Sequence, residues 1–345
     1  MSKAATSKVT AFAIVCFATA VALAEAAPGS SSPTNIFRPD STPAQSIYGL
    51  SLFVLAITAA VFVLVFVLLA YAVIKFRERA RDDKREPPQV YGSSQVETAW
   101  TVIPVLIVLV LFLATARVIA NVQDAAKAHD ALEVTVIGHQ YWWEYRYPGL
   151  NVVTNELHVP VSDPAHPTPT FLTLLSADTD HSFWVPRLAG KTDLIPNHPN
   201  SMWIDPHETG VYVGQCAQYC GVQHAKMLLR VYVQTRADFD RWIEQQRQSA
   251  VASDAVSQGR VVFETGPCLV CHRMSGIAGN GQFGPDLTHL MSRDTIAAGA
   301  APNTPENLRK WIRDPSSIKP GTTMPAFQLS DRQIDELTAY LETLH

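Results

Sequence analysis

The chain has 345 residues, with 27 Lys+Arg against 31 Asp+Glu, a formal net charge of −4 and 5 cysteines. No basic patch lies outside one short loop, which argues against nucleic acid as a partner. Hydrophobic residues make up 47% of the chain, and some of them gather into uncharged runs long enough to cross a bilayer.

Lys3 and Lys8 precede an apolar run from Val9 to Leu23, followed by Ala24 and Ala26. The pattern predicts a signal peptide over 1–26, cleaved near Ala26; a third membrane helix is the alternative, for which the run is short. Residues 27–46 form an external segment. A transmembrane hairpin follows over 47–120, with spans at about 47–74 and 98–117 and a loop over 75–97. Pro104 is tolerable near the start of the second span. The loop carries Lys75, Arg77, Arg79, Arg81, Lys84 and Arg85, which places it on the cytoplasmic side and everything after Arg117 outside. Glu97 stands at the edge of the second span, where interfacial snorkelling alone accounts for it.

Residues 130–235 read as an all-β domain. Period-two alternation from Leu132 to Gly138 and apolar runs at Thr170–Leu175 and Met227–Val233, separated by turn residues, predict a sandwich. Acidic residues outnumber basic ones there, which suits a basic electron-carrier protein and equally suits a solvated surface. Within it lies Cys216-Ala-Gln-Tyr-Cys220-Gly-Val-Gln-His224-Ala-Lys-Met227. Thiolate, imidazole and thioether are soft ligands that suit copper, and two thiolates at this spacing can bridge two copper ions. His181 lies upstream in a β-like run and could close such a site. The plainer alternative, a Cys216–Cys220 disulfide, needs neither His224 nor Met227.

An amphipathic helix and a small-residue linker occupy 236–255, and a helical domain spans 256–345. Its Cys268-Leu-Val-Cys271-His272 is the c-type haem attachment pattern. On a helix, positions i, i+3 and i+4 share one face, so both sulfurs and the imidazole can reach one haem. A thioredoxin-like redox pair would need a βαβ unit, which these surroundings lack. The second iron ligand must come from well downstream. Met324, in Pro-Gly-Thr-Thr-Met-Pro, fits best; Met274 is too near His272, Met291 is weaker, and His289 or His345 would give bis-histidine ligation. Leu308–Ile312 and Ile334–Leu344 read as core helices, with Trp311 placed to approach a propionate. With Cys16 in the signal segment, no cysteine pair is left for a structural disulfide.

The copper-type motif with His181 resembles subunit II of the haem–copper oxidases and its CuA site. That resemblance implies bridging by Cys216 and Cys220, one copper each for His181 and His224, a weak axial Met227 and the backbone carbonyl of Gln218. Many members carry glutamate at the position of Gln218, reaching a magnesium shared with subunit I; an amide is a poorer magnesium ligand. Met324 resembles the methionine loop of class I cytochromes c, and Gly284-Pro285-Asp286-Leu287 the loop whose proline carbonyl orients the haem histidine. Val-Glu97-Thr-Ala-Trp-Thr resembles the family segment whose glutamate marks a proton entrance to subunit I. Gly138–Tyr145 resembles the family's aromatic run, with Tyr141 where many members have the tryptophan that receives electrons.

The implied fold is a multidomain membrane protein: a two-helix transmembrane hairpin, a cupredoxin-like all-β sandwich and an all-α class I cytochrome c domain. The implied function is that of the electron-input subunit of a caa-type cytochrome c oxidase in the cell membrane. Its domains would lie on the outer face, with subunit I, subunit III and an external donor such as cytochrome c as partners. No span carries the histidines of an oxygen-reducing site, so that chemistry would belong to subunit I. Quinol oxidases lack these copper ligands, and nitrous oxide reductase would need a histidine-rich cluster. A free-standing carrier or assembly factor remains the rival from another class.

Overall fold

A computed structural model describes residues 32–77, 89, 91–123, 127, 129, 131–249, 256–279 and 281–345. The expected signal segment, Cys16, most of the basic loop and residues 250–255 of the linker lie outside the described residues.

Two long helices come first, α1 (Thr42–Lys75) and α2 (Ser94–Gln123). Leu64, Leu69, Leu106 and Phe112 stand exposed along them. A contiguous apolar surface of that size needs lipid or protein to cover it. The ends of both helices are pinned to the domain that follows. Thr42 Oγ1 donates to Asp205 Oδ2 at 2.5 Å, the Asp205 amide donates to Ser41 Oγ at 2.9 Å, and Trp203 Nε1 donates to the Val122 carbonyl at 2.6 Å.

That domain is a sandwich of two five-stranded sheets. The first, in spatial order, is β3 (Val152–Thr154), β2 (Trp142–Tyr147), β1 (Glu133–His139), β5 (Thr170–Ser176) and β8 (Asn200–Ile204). The second is β4 (Leu157–Pro160), β10 (Leu228–Gln234), β9 (Gly210–Cys216), β6 (His181–Trp184) and β7 (Thr192–Leu194). Neighbours run antiparallel except β1 with β5 and β10 with β4. Alternation sets the inward face: on β10, Leu229, Val231 and Val233 are buried and their neighbours are not. Tyr145, Tyr147, Leu174, Phe183 and Val231 are fully enclosed between the sheets. A short helix, α3 (Arg236–Gln246), begins at Thr235, whose Oγ1 accepts from the Asp238 amide at 3.2 Å. It lays Phe239 and Trp242 against Tyr147.

The C-terminal domain is built on α4 (Ser257–Thr265), α5 (Cys268–Cys271), α6 (Pro305–Arg313) and α7 (Asp331–Leu341). Phe263, Leu308, Ile312, Leu337 and Tyr340 form its core. Helices α4 and α7 cross at Gly259, where any Cβ would collide with the Glu336 backbone and the Tyr340 side chain. Only glycine permits that approach.

His158 on β4 is sandwiched between Tyr232 and Trp242, with ring centroids 4.5 and 4.0 Å away. Burial pushes its pKa down to about 4. The unfolded chain therefore takes up a proton between pH 6.5 and 4 that the folded domain refuses, and stability is lost as pH falls through that window. His158→Phe keeps the stack and removes the titration. Between pH 7 and pH 4 it is expected to lose about 3 kcal/mol less stability than the wild type, read from denaturant midpoints.

Candidate metal centres and the cavity between domains

Cys216 ends β9 and Met227 immediately precedes β10, so the ligand-rich loop is the connection of one antiparallel pair. The Cys216 amide donates to the Met227 carbonyl at 2.9 Å and closes the loop at its base. His181 opens β6, the next strand, which pairs with β9 through Phe183 and Cys216. Sheet register thus brings a distant histidine to the cysteines. His181 Nδ1 lies 3.9 Å from Cys216 Sγ, His224 Nδ1 3.8 Å from Cys220 Sγ, and Met227 Sδ 3.9 Å from Cys220 Sγ. The Gln218 carbonyl is 3.1 Å from Cys216 Sγ. The sulfurs are 3.9 Å apart and both cysteines are free, so the disulfide alternative falls. The ligand atoms of His181, Cys216 and Cys220 all lie within 4.8 Å of one another, and all three residues are buried.

The loop's electrostatics favour ionisation of one of its two sulfurs. A hydrogen bond from Cys220 holds the Cys216 thiol well below the usual range, while sharing that proton and burial push Cys220 up. Behind His181, Asp178 Oδ1 meets Nε2 at 2.7 Å and leaves Nδ1 facing the sulfurs. Such a carboxylate fixes tautomer and ring orientation in metal sites. A thiolate pair, two imidazoles and a thioether gathered this tightly fit copper.

The haem-attachment motif lies on a different geometry from the one its spacing predicts. Helix α5 stops at Cys271; His272 is its C-cap, in extended backbone at φ −102° and ψ 144°. The extended turn aims the imidazole into a cavity of about 890 Å³ also lined by Cys268, Cys271, Trp311 and Met324. His272 Nδ1 donates to the Pro285 carbonyl at 2.8 Å, and burial lowers its pKa, keeping the ring neutral. Met274, Met291, His289 and His345 are absent from the cavity wall. Both ring nitrogens of His289 face backbone carbonyls, of His345 at 2.7 Å and Gln248 at 3.1 Å. Met274 Sδ accepts from the Tyr340 hydroxyl at 3.3 Å. Two thiols, a neutral imidazole and a thioether around one large, mostly apolar space fit a covalently attached haem.

The far wall of that cavity belongs to the β-sandwich: Gln140, Tyr141 and Trp142 line it. Several bonds cross this boundary. Lys226 Nζ donates to the Ile318 carbonyl at 2.8 Å, Tyr232 OH to Asp294 Oδ2 at 2.7 Å, and Arg230 Nη1 to Thr295 Oγ1 at 3.0 Å. The Gln223 amide donates to the Pro320 carbonyl. Lys319, only 2% exposed, donates to the carbonyls of Tyr141 at 2.7 Å and Ala297 at 3.0 Å. Burial lowers its pKa to about 7. Tyr141 is itself only 8% exposed, packed in the sandwich core while lining the cavity. Glu97 lies apart from both sites, exposed in the first turn of α2.

Asp178, Gln140 and Lys319 were not singled out by the sequence. Asp178 sits three residues before His181, but Asp180 stands nearer and offers the same chemistry. Lys319 has no signature, since one of its two acceptors lies in the other domain.

A curated relative, the cytochrome c oxidase subunit 2 of Alkalihalophilus pseudofirmus, is 35% identical over 318 residues, 89% of each chain. The chain belongs to the cytochrome c oxidase subunit 2 family. The subunit 2 of Bacillus sp. (strain PS3) is 34% identical over 290 residues, 78% of this chain and 80% of that one. Family models match in order: cytochrome c oxidase subunit II transmembrane domain over 31–118, its periplasmic domain over 153–234, and cytochrome c over 256–345. A solved periplasmic domain of subunit II of cytochrome oxidase from Bradyrhizobium japonicum is 28% identical, with a TM-score of 0.33, covering 36% of this chain and 97% of that one. As a subunit 2 with an appended cytochrome c domain, this is a two-span membrane protein with an electron-transfer role in a haem–copper terminal oxidase. Its domains imply copper and haem.

Lys319→Met leaves the Tyr141 and Ala297 carbonyls without that donor. The docked arrangement is expected to weaken by about 1–3 kcal/mol. Hydrogen exchange over 318–323 should quicken while α4 and α7 keep their protection.

Proposed function

We propose that the chain receives electrons at its cytochrome domain and passes them through its sandwich domain to subunit I of the oxidase. The observation that carries this reading is the shared cavity: the haem-attachment residues face the sandwich at the strand connection that precedes β2, beside the soft-ligand loop.

In this reading His181, Cys216, Cys220, His224 and Met227 hold two copper ions, with the Gln218 carbonyl completing the set. Cys268 and Cys271 attach the haem, and His272 and Met324 ligate its iron. When bound, the two groups supply one-electron chemistry without atom transfer. The protein's part is to keep the ligands still. Asp178 orients His181, Pro285 orients His272, and the β9–β10 pair clamps both ends of the copper loop. A rigid shell lowers the reorganisation that accompanies each electron.

The external donor, cytochrome c or a similar carrier, meets the cytochrome domain, because Tyr141 is buried and lines the inner cavity, out of a carrier's reach. Tyr141, at the family position where many members have the electron-receiving tryptophan, faces the haem cavity instead of an external carrier. Both C-terminal domains lie on the outer face of the cell membrane, opposite the basic loop. Subunit I, which reduces oxygen, and subunit III complete the complex, whose proton translocation is coupled to this electron flow. Glu97, at the membrane boundary, marks the proton entrance to subunit I. Magnesium at Gln218 has weaker support, since the side chain is a neutral amide.

Two substitutions test the ligand sets in the full chain. Cys220→Ser is expected to abolish the mixed-valence copper EPR signal while leaving the haem spectrum intact. Met324→Ala should remove the weak near-infrared sulfur-to-iron band of the oxidised haem, with the thioether-bound haem retained. A wild-type chain with one copper and an ordinary four-line spectrum would contradict the dinuclear assignment.

A further inference from the structure

We infer that Gln140 is the bridge by which an electron passes from the haem cavity to the copper loop. This rests on the two ligand sets proposed above. The side chain lines the cavity. Its Nε2 donates at 2.6 Å to the carbonyl of Cys220, the residue whose sulfur lies within 4 Å of Cys216, His224 and Met227. On the cavity side, the Gln140 carbonyl accepts from Thr323 Oγ1 at 3.2 Å, and Thr323 directly precedes Met324. From Met324 to Cys220 the path therefore runs through covalent bonds and two hydrogen bonds. Electron tunnelling decays less steeply along such bonds than across van der Waals gaps of equal length.

The bridge is also held in place. The Gln140 backbone N–H donates to Asp178 Oδ2 at 2.6 Å, on the same carboxylate whose Oδ1 meets His181 Nε2. Lys319 fixes the next peptide by its bond to the Tyr141 carbonyl. Gln140 is thus tied to the partner of one copper-site histidine, to a copper-site cysteine and to the neighbour of the haem-site methionine. Tyr141 is the competing route. Its ring lines the cavity and its hydroxyl sits over Gly221, where a Cβ would strike it. Among the described residues no hydrogen bond joins that hydroxyl to the copper loop, whereas the Gln140 amide makes one.

With both groups bound, the haem held by Cys268, Cys271, His272 and Met324 would supply one electron, ferrous iron becoming ferric, and the copper pair held by the soft-ligand loop would accept it. No proton or atom moves, and Gln140 is neither oxidised nor reduced. The electron is first supplied by an external one-electron carrier.

The test uses the assembled oxidase, with haem c photoreduced and the copper band followed in time. Gln140→Leu removes the bond to Cys220, and Thr323→Val removes the one on the haem side. Each is expected to slow copper reduction severalfold. Both reduction potentials, the copper EPR signal and hydrogen exchange over 318–323 should stay at wild-type values, which separates lost coupling from lost docking or altered driving force. Unchanged transfer in both variants, or slowing only in Tyr141→Leu, overturns the Gln140 route. Haem oxidation in the wild type with no copper reduction overturns the underlying ligand assignment, and the route with it.

Discussion

The bond from Lys319 to the Tyr141 carbonyl is the contact on which the arrangement of the two domains turns. A lysine that is 2% exposed is costly to bury unless its ammonium is hydrogen-bonded. Here two carbonyls, one from each domain, supply those bonds. Neither domain alone provides both, so the buried ammonium is satisfied only when the domains are docked. The same docking closes the cavity, whose walls come from the cytochrome domain on one side and the strand connection around Gln140 and Tyr141 on the other. Cavity closure and domain docking are therefore one event.

The sandwich makes that closure useful. Its register puts His181 beside Cys216, and its strand pairing clamps the loop from Cys216 to Met227 at both ends. The loop's outward side carries Gln223 and Lys226, which bond to the cytochrome domain at Pro320 and Ile318. One loop thus gathers the soft ligands on its inside and holds the second domain on its outside. At the opposite end, Trp203, Asp205 and Ser41 anchor the two membrane helices to the sandwich. The soft-ligand loop is held at its base by strand pairing and on its outer side by bonds to the cytochrome domain.

Much of this was legible in the chain itself. The two long apolar runs that follow residue 46 and the strand alternation are local signals, and each appears in the structure as an element of the expected type. His181 could be proposed as well, because a β-like run places it on a strand. What could not be read was anything made by contact between distant segments. The burial of Lys319, the choice of Asp178 over Asp180 and the three hydrogen bonds of Gln140 all arise from tertiary packing. The attachment motif shows the same limit on a smaller scale: helical spacing puts His272 on the helix, but the helix ends one residue earlier and extended backbone turns the ring into the cavity.

The central claim is that electrons cross from the haem site to the copper site inside one chain. It is tested most directly by rapid mixing of the assembled oxidase with a one-electron reductant that meets only the cytochrome domain. Haem c should be reduced first, and copper reduction should follow at a rate that does not change with enzyme concentration. Copper reduction that precedes haem reduction, or whose rate rises in proportion to enzyme concentration, would contradict the account.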